Sequence, residues 1–277
     1  MRETSNPIFR SLSKQQGGYA QFGPGPTQPQ GYPAAPYAPY QETRASRPLT
    51  IDDVVTKTGI TLAVLTAVAA VSYFMVSANL ALAAPLTFIG AFGGLALVMI
   101  ATFGRKQDNP AIVLSYAVLE GMTLGAVSFL FANFQVGRGT SAGALIFEAI
   151  LGTLGVFFGM LVVYKTGAIR VTPKFTRMMV AAMFGVLALM IGNAVVGIFN
   201  HGEGMGLRNG SGLAIIFSLV CIGIAAFSFL IDFDSADQMI RAGAPDKAAW
   251  GIALGLTVTL VWLYLEILRL LSSLQND

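Results

Sequence analysis

Charge is what this sequence has least of. Only 11% of its 277 residues are Asp, Glu, Lys or Arg, less than half of the roughly 25% with which a water-soluble domain covers its surface. Such a chain has too little polar surface to face water on all sides, which makes it a membrane protein. It holds one cysteine, Cys221, inside an apolar run, so an internal disulfide and a cysteine-based metal cluster are both excluded. A lone histidine, His201, excludes multi-histidine metal sites. The equipment for intramembrane catalysis is missing too. There is no Gly-x-Gly-Asp element for an aspartyl protease, and the one histidine lies in a loop beside Glu203, away from any serine within a span. Lys247 stands only at the entrance of the last apolar run, so a retinal Schiff base has no amine. P-loop, dinucleotide glycine fingerprint and zinc spacings are all lacking. The expectation is a protein that is not an enzyme and holds no resident cofactor. The net charge of +3, with its basic residues at helix ends, gives no reason to expect a nucleic-acid partner.

What is present falls into two parts. Residues 1–56 contain eight of the twelve prolines and four of the eight tyrosines, in stretches such as Gln28-Pro29-Gln30-Gly31-Tyr32-Pro33. With no apolar periodicity this segment cannot bury enough surface to offset the entropy of ordering it, and it is expected to be a disordered cytoplasmic tail. No apolar h-region follows the N-terminal charges, so it does not read as a secretory signal.

Residues 57–277 are a series of apolar runs, each long enough to cross a hydrocarbon core of roughly 30 Å. Seven are expected, at about 58–78, 81–103, 111–134, 142–164, 178–199, 213–231 (continuing as helix to about 240) and 248–271. No ten-residue alternation competes with them, so the fold class is all-α integral membrane with seven transmembrane helices. Of the 17 Lys and Arg residues, 14 fall on one side of the bundle if the chain is threaded through the seven spans. Only Arg138, Arg208 and Arg269 fall on the other. By the positive-inside rule the N-terminus is cytoplasmic and the C-terminus outside.

Helices in lipid gain nothing by hiding apolar surface from water, so close approach at small residues must supply much of their association. Gly90, Gly93 and Gly94 in the second run, Gly152, Gly155 and Gly159 in the fourth, and Gly251 and Gly255 in the seventh are read as such sites. Pro85 should fall within the first turn of its helix, where a missing donor costs little.

An ionisable group inside a membrane is a functional hypothesis by default. Glu120 lies about ten residues, or roughly 15 Å, into the third run. Asp232 and Asp234 lie where the sixth run nears the cytoplasm, some 200° apart around the helix, so at least one should turn inward. Asp237 and Arg241 have the favourable i, i+4 spacing of a solvated extension. Glu266 and Arg269, at i, i+3, read as an ion pair close to the outer interface, and Glu148 as interfacial. A carboxylate held away from water gains or loses its proton in a close contest, and so can couple cation release to pH.

The segment Leu230-Ile231-Asp232-Phe233-Asp234, followed after a short basic linker by residues 255–271 (GLTVTLVWLYLEILRLL), closely resembles the end of proteins in the Bax inhibitor-1 family, in its bacterial branch. Ser5-Asn6-Pro7-Ile8-Phe9 and residues 116–125 (YAVLEGMTLG) extend the resemblance over all seven spans. It implies six helices around a central, wholly apolar seventh, and a pH-sensitive calcium leak gated by two aspartates that share protons and cation affinity. The first of these carries over to Asp232, with Asp234 as the neighbour able to replace it. The second does not, because Leu256-Thr257-Val258-Thr259-Leu260 offers hydroxyls where the family has a carboxylate. A threonine cannot share a proton as a second aspartate does, which leaves Glu120 as a substitute partner on another helix.

The resulting expectation is a multi-pass protein of the bacterial inner membrane that passes or regulates cations, calcium foremost. Asp232 and Asp234 are the metal ligands, and the Thr257 and Thr259 hydroxyls are further oxygens. So few ligands imply weak calcium binding, which suits conduction. The alternative is a non-conducting regulator that binds other membrane proteins, such as a membrane protease. A proton-coupled exporter is less well supported, since no pair of broken helices marks a substrate pocket.

Overall fold

The computed structural model describes residues 47–134, 141–200, 204–207 and 212–275. The proline-rich stretch through residue 46, together with Arg138, His201, Glu203 and Arg208, lies outside them. The described residues form seven long helices: α1 (Ile51–Ala78), α2 (Ala83–Phe103), α3 (Pro110–Phe134), α4 (Ala142–Thr166), α5 (Pro173–Phe199), α6 (Gly212–Arg241) and α7 (Ala248–Leu274). All seven are long and apolar enough to cross a membrane.

Most helix ends are written in the sequence as caps. α1 begins seven residues before the apolar run because Thr50 and Asp53 form a capping box, each side chain satisfying the other's backbone N–H. A 3-10 turn at Leu80–Leu82, started by the Asn79 side chain, reverses the chain into α2 and puts Pro85 in its first turn, as expected. Ser141 caps α4 and a left-handed Gly167 ends it. Thr172 caps α5, with Pro173 at its start, five residues ahead of the expected boundary. α6 runs on past its apolar stretch to Arg241, close to the expected limit.

Lys57 is tolerated inside α1 because its Nζ donates to the Asp246 carbonyl oxygen at 2.5 Å and lies 5.8 Å from the centre of the Trp250 ring. Just before it, Leu49 N–H donates to Ala244 O at 2.8 Å and Asp246 N–H to Arg47 O at 3.0 Å. The entry to α1 is thereby fastened to the loop between α6 and α7. This end of the bundle carries Arg105, Lys106, Lys165, Lys174 and Lys247, and is called the basic end below.

α7 is the most buried helix and packs against α1, α3, α4 and α6. It is the central helix that the resemblance implies, with α2 lying mainly on α3 and α5 on α6 as an outer tier. It is not wholly apolar, however. Thr257, Thr259 and Glu266 are all buried in it, because each finds a polar partner within the bundle.

Glycine packing corrects the sequence expectation in part. A Cβ at Gly90 would overlap Thr123 and the Leu119 carbonyl oxygen of α3, and Gly152 lies 3.3 Å from Ile267 of α7 by the same construction. Gly155 and Gly159 have nothing within 4 Å of that position, so they are not close-approach sites. The tightest approach is instead at Gly125, where a Cβ would overlap the Ala69 carbonyl oxygen and come within 2.7 Å of the Ser72 Cβ of α1. Gly125→Ala should therefore cost about 1–3 kcal/mol by forcing α1 off α3. Gly155→Ala should stay within about 0.5 kcal/mol of the parent. Thermal unfolding of the two variants in one detergent checks the difference.

Candidate functional site

The sequence-predicted carboxylates separate into distinct surroundings. Asp232, on α6, accepts a hydrogen bond from the Thr259 hydroxyl of α7 at 2.8 Å. The same hydroxyl lies 3.2 Å from the Gly255 carbonyl oxygen one turn back in its own helix. Thr259 has one proton and two acceptors within reach, so it can release Asp232 without becoming an unsatisfied buried donor.

Asp232 stands in a crevice of about 440 Å³ whose lining also includes Thr102, Arg105, Ser235, Gly251 and Gly255. The crevice lies at the basic end of the seam between α6 and α7, with the end of α2 and the loop after it, which carries Gln107 and Asp108, as a further wall. Its α7 wall is stripped of side chains at Gly251 and Gly255. A Cβ at Gly255 would come 3.9 Å from Asp232 Oδ1, in ordinary contact, so this part of the α7 wall lies directly beside the carboxylate. Arg105 follows the end of α2 in a left-handed conformation, φ 52°, an arrangement that disfavours a side chain by about 1–2 kcal/mol. In the sequence Arg105 stands out only as one of the 14 basic residues on one side of the bundle. Nothing in its spacing announced that the α2 cap would bring it to the same crevice as Asp232.

Asp234 faces elsewhere, as the turn of the helix required. Gln238 Nε2 donates to Asp234 Oδ2 at 2.6 Å, and the Tyr164 hydroxyl of α4 lies 3.5 Å from Asp234 Oδ1 and 3.3 Å from Asp237 Oδ2. Arg241 pairs with Asp237 at 2.7 Å. Asp232 and Asp234 thus bond to different helices and do not converge on one point. Among the described residues no group of three or more His, Cys, Asp or Glu side chains is placed to hold a metal ion.

Thr257 is fully buried, and its hydroxyl donates to the Ala253 carbonyl oxygen at 2.7 Å. Glu120 lies between α3 and α2, where a Cβ on Gly94 would come within 2.7 Å of its Oε2. It neither lines the Asp232 crevice nor hydrogen-bonds to Asp232. The structure therefore brings together Asp232 and Thr259, and leaves Asp234, Thr257 and Glu120 apart from them.

Glu266 departs most from expectation. The i, i+3 pair with Arg269 is present, with Nη1 2.9 Å from both carboxylate oxygens. The carboxylate is covered by the bundle, with Glu266 only 1% exposed. Spacing predicted the pairing, but burial depends on how α7 sits among its neighbours. Near it the Tyr264 and Ser128 hydroxyls are 2.7 Å apart and join α7 to α3.

A family model described as Bax inhibitor 1 like matches residues 6–276. The chain belongs to the Bax inhibitor 1-like family. Comparison with curated proteins finds no match. Membership makes Thr259 notable, since the resemblance implies a second aspartate in this stretch of the last helix. Here a hydroxyl stands against Asp232 and donates to it, where a second carboxylate would share a proton.

Thr259→Val keeps the shape and removes the donor. It should destabilise the Bax inhibitor 1-like bundle by about 1–3 kcal/mol, because a mostly buried carboxylate oxygen loses its partner. Thr259→Ser should retain most of that stability. Unfolding of both variants in the same detergent provides the comparison.

Proposed function

We propose that this protein is a multi-pass protein of the bacterial inner membrane that lets cations, calcium foremost, leak through the seam between α6 and α7, with Asp232 as the gate. The N-terminus and the basic end face the cytoplasm, as the excess of Lys and Arg on that side favours. The observation that carries the reading is the position of Asp232 at the crevice, bonded to a hydroxyl that has a second acceptor.

In the closed arrangement the Thr259 proton points at Asp232 and the crevice stops there. A cation entering from the basic end meets an oxygen ligand at Asp232, and the Thr259 hydroxyl turns its proton to Gly255 O. That frees a hydroxyl lone pair as a second ligand. Calcium suits an all-oxygen site, and a site with so few ligands binds weakly enough to release the ion again. Protonation of Asp232 removes the negative charge that attracts the cation, which couples the leak to pH. No catalytic step and no resident cofactor enter this reading.

Purified protein in liposomes loaded with a calcium dye tests it. Flux should change between about pH 6 and pH 8 in the parent. Asp232→Asn, which is neutral at either pH, should remove that change. Deleting residues 1–46 should leave the flux intact. Absence of flux at any pH would favour a non-conducting regulator that binds other membrane proteins, a role expected to depend on the tail instead.

A further inference from the structure

The seam between α6 and α7 continues beyond the gate. Thr259 and Glu266 are seven residues apart, which places them on one stripe of α7, two turns or roughly 10 Å from each other. Ala248, Gly251, Ile252 and Gly255, which line the crevice, belong to the same stripe. A single line along α7 therefore passes from the crevice through the Asp232–Thr259 bond to Glu266. The facing helix is suited to it. Counting outward from Asp232 on α6, the residues on its side of the helix are Ser228, Ala225, Cys221 and Ser218, all small and all buried. Between the two polar steps stands Trp262, packed against the cluster that contains Cys221 and Phe217.

Glu266 is held in an unusual way for a buried acid. Its counter-ion comes from its own helix, so the pair neutralises the charge without tying α7 to a neighbour. The Arg269 side chain is 15% exposed and the Glu266 side chain 2%. The guanidinium is the more exposed partner, on a long stem five residues from the end of α7. It can swing toward the outer surface while the carboxylate stays inside.

We propose that Glu266 is a second cation station in the outer half of the α6–α7 seam, its carboxylate occupied by the Arg269 guanidinium until a divalent cation displaces it. The inference rests on the reading of the seam as a cation path. It adds that a charge swing within one helix, rather than a second aspartate at the gate, supplies the next ligand. With no third acidic ligand among the described residues, the station is a step in transit and not a store.

Terbium luminescence sensitised by Trp262 tests it without requiring conduction. The experiment uses full-length protein carrying Asp232→Asn and Trp250→Phe, which removes the gate carboxylate and the other of the two tryptophans. Adding Arg269→Gln should tighten terbium half-saturation at least tenfold, with calcium competing, and further adding Glu266→Gln should abolish the signal. The exchanged pair, Glu266→Arg with Arg269→Glu, covers the case in which an unpaired acid prevents folding. It keeps an ion pair, and so should melt near the parent temperature, but it moves the carboxylate three residues along and roughly 60° around the helix. It should lose the terbium signal at concentrations that saturate the parent. Parent-like terbium affinity in the exchanged pair, or a signal that survives Glu266→Gln, would overturn the proposal. In liposomes, calcium flux that responds to Asp232→Asn but not to the exchange would leave the gate standing and remove the second station. A parent that passes no calcium would instead remove the leak reading, with the terbium result still deciding whether Glu266 binds cations.

Discussion

A polar group that leaves water for the interior of a membrane protein must find its partner there, and the last helix is where this chain meets that constraint most often. Asp232 accepts a hydrogen bond from the Thr259 hydroxyl, Tyr264 meets Ser128, and Glu266 is neutralised by Arg269. Each pair involves α7, and each replaces hydration that lipid cannot provide. The apolar face of α7 fits it to the centre of the bundle. The two pairs that cross to other helices, Asp232 with Thr259 and Ser128 with Tyr264, fix how it is turned, because a rotation that separated either would strand a polar group in hydrocarbon.

The partners differ in kind, and so do their consequences. Ser128 and Tyr264 are neutral hydroxyls that join α7 to α3 and have no charge to exchange. The Asp232–Thr259 bond crosses from α6 to α7 and involves one charge, so it responds to anything that neutralises that charge or competes for the hydroxyl. The Glu266–Arg269 pair lies within a single helix and restrains nothing outside it. A neutral structural bond, a charged bond between helices and a charged bond within one helix are thus spread along the same element. Only the last two can respond to an ion. The family resemblance, with its two aspartates, implies a symmetrical exchange of a proton. Thr259 makes the arrangement here asymmetrical, with a hydroxyl that stays neutral and an acid that alone changes charge.

Much of this was legible in the residues. The apolar runs gave the seven helices, since length and the lack of charge leave little else for 20 residues in hydrocarbon to do. The opposed directions of Asp232 and Asp234 followed from helical geometry. The helix α1 starts seven residues before the uncharged run that follows Lys57, because the Thr50–Asp53 box and the anchoring of Lys57 on Asp246 O extend it. Gly155 and Gly159 have the spacing of packing sites but meet no neighbour, whereas Gly125 of α3 meets the α1 backbone. Spacing marks a face of a helix, and which face meets a neighbour depends on the arrangement of the other six. The same gap hid the depth of Glu266. A pair at i, i+3 can be drawn from the sequence, but its burial belongs to the bundle.

Under the proposed function one bond between a carboxylate and a hydroxyl closes the crevice at the basic end, and cysteine accessibility tests this closure most directly. Cys221→Ser removes the single native thiol, and Ser228→Cys then places a reporter one turn beyond Asp232. A membrane-impermeant thiol reagent applied from the basic end should leave this reporter unmodified while Asp232 and Thr259 are intact, and should modify it once Thr259→Val is added. Ser235→Cys, on the crevice lining, should react in both backgrounds. Equal modification of the Ser228→Cys reporter with and without the Thr259 hydroxyl would contradict the account.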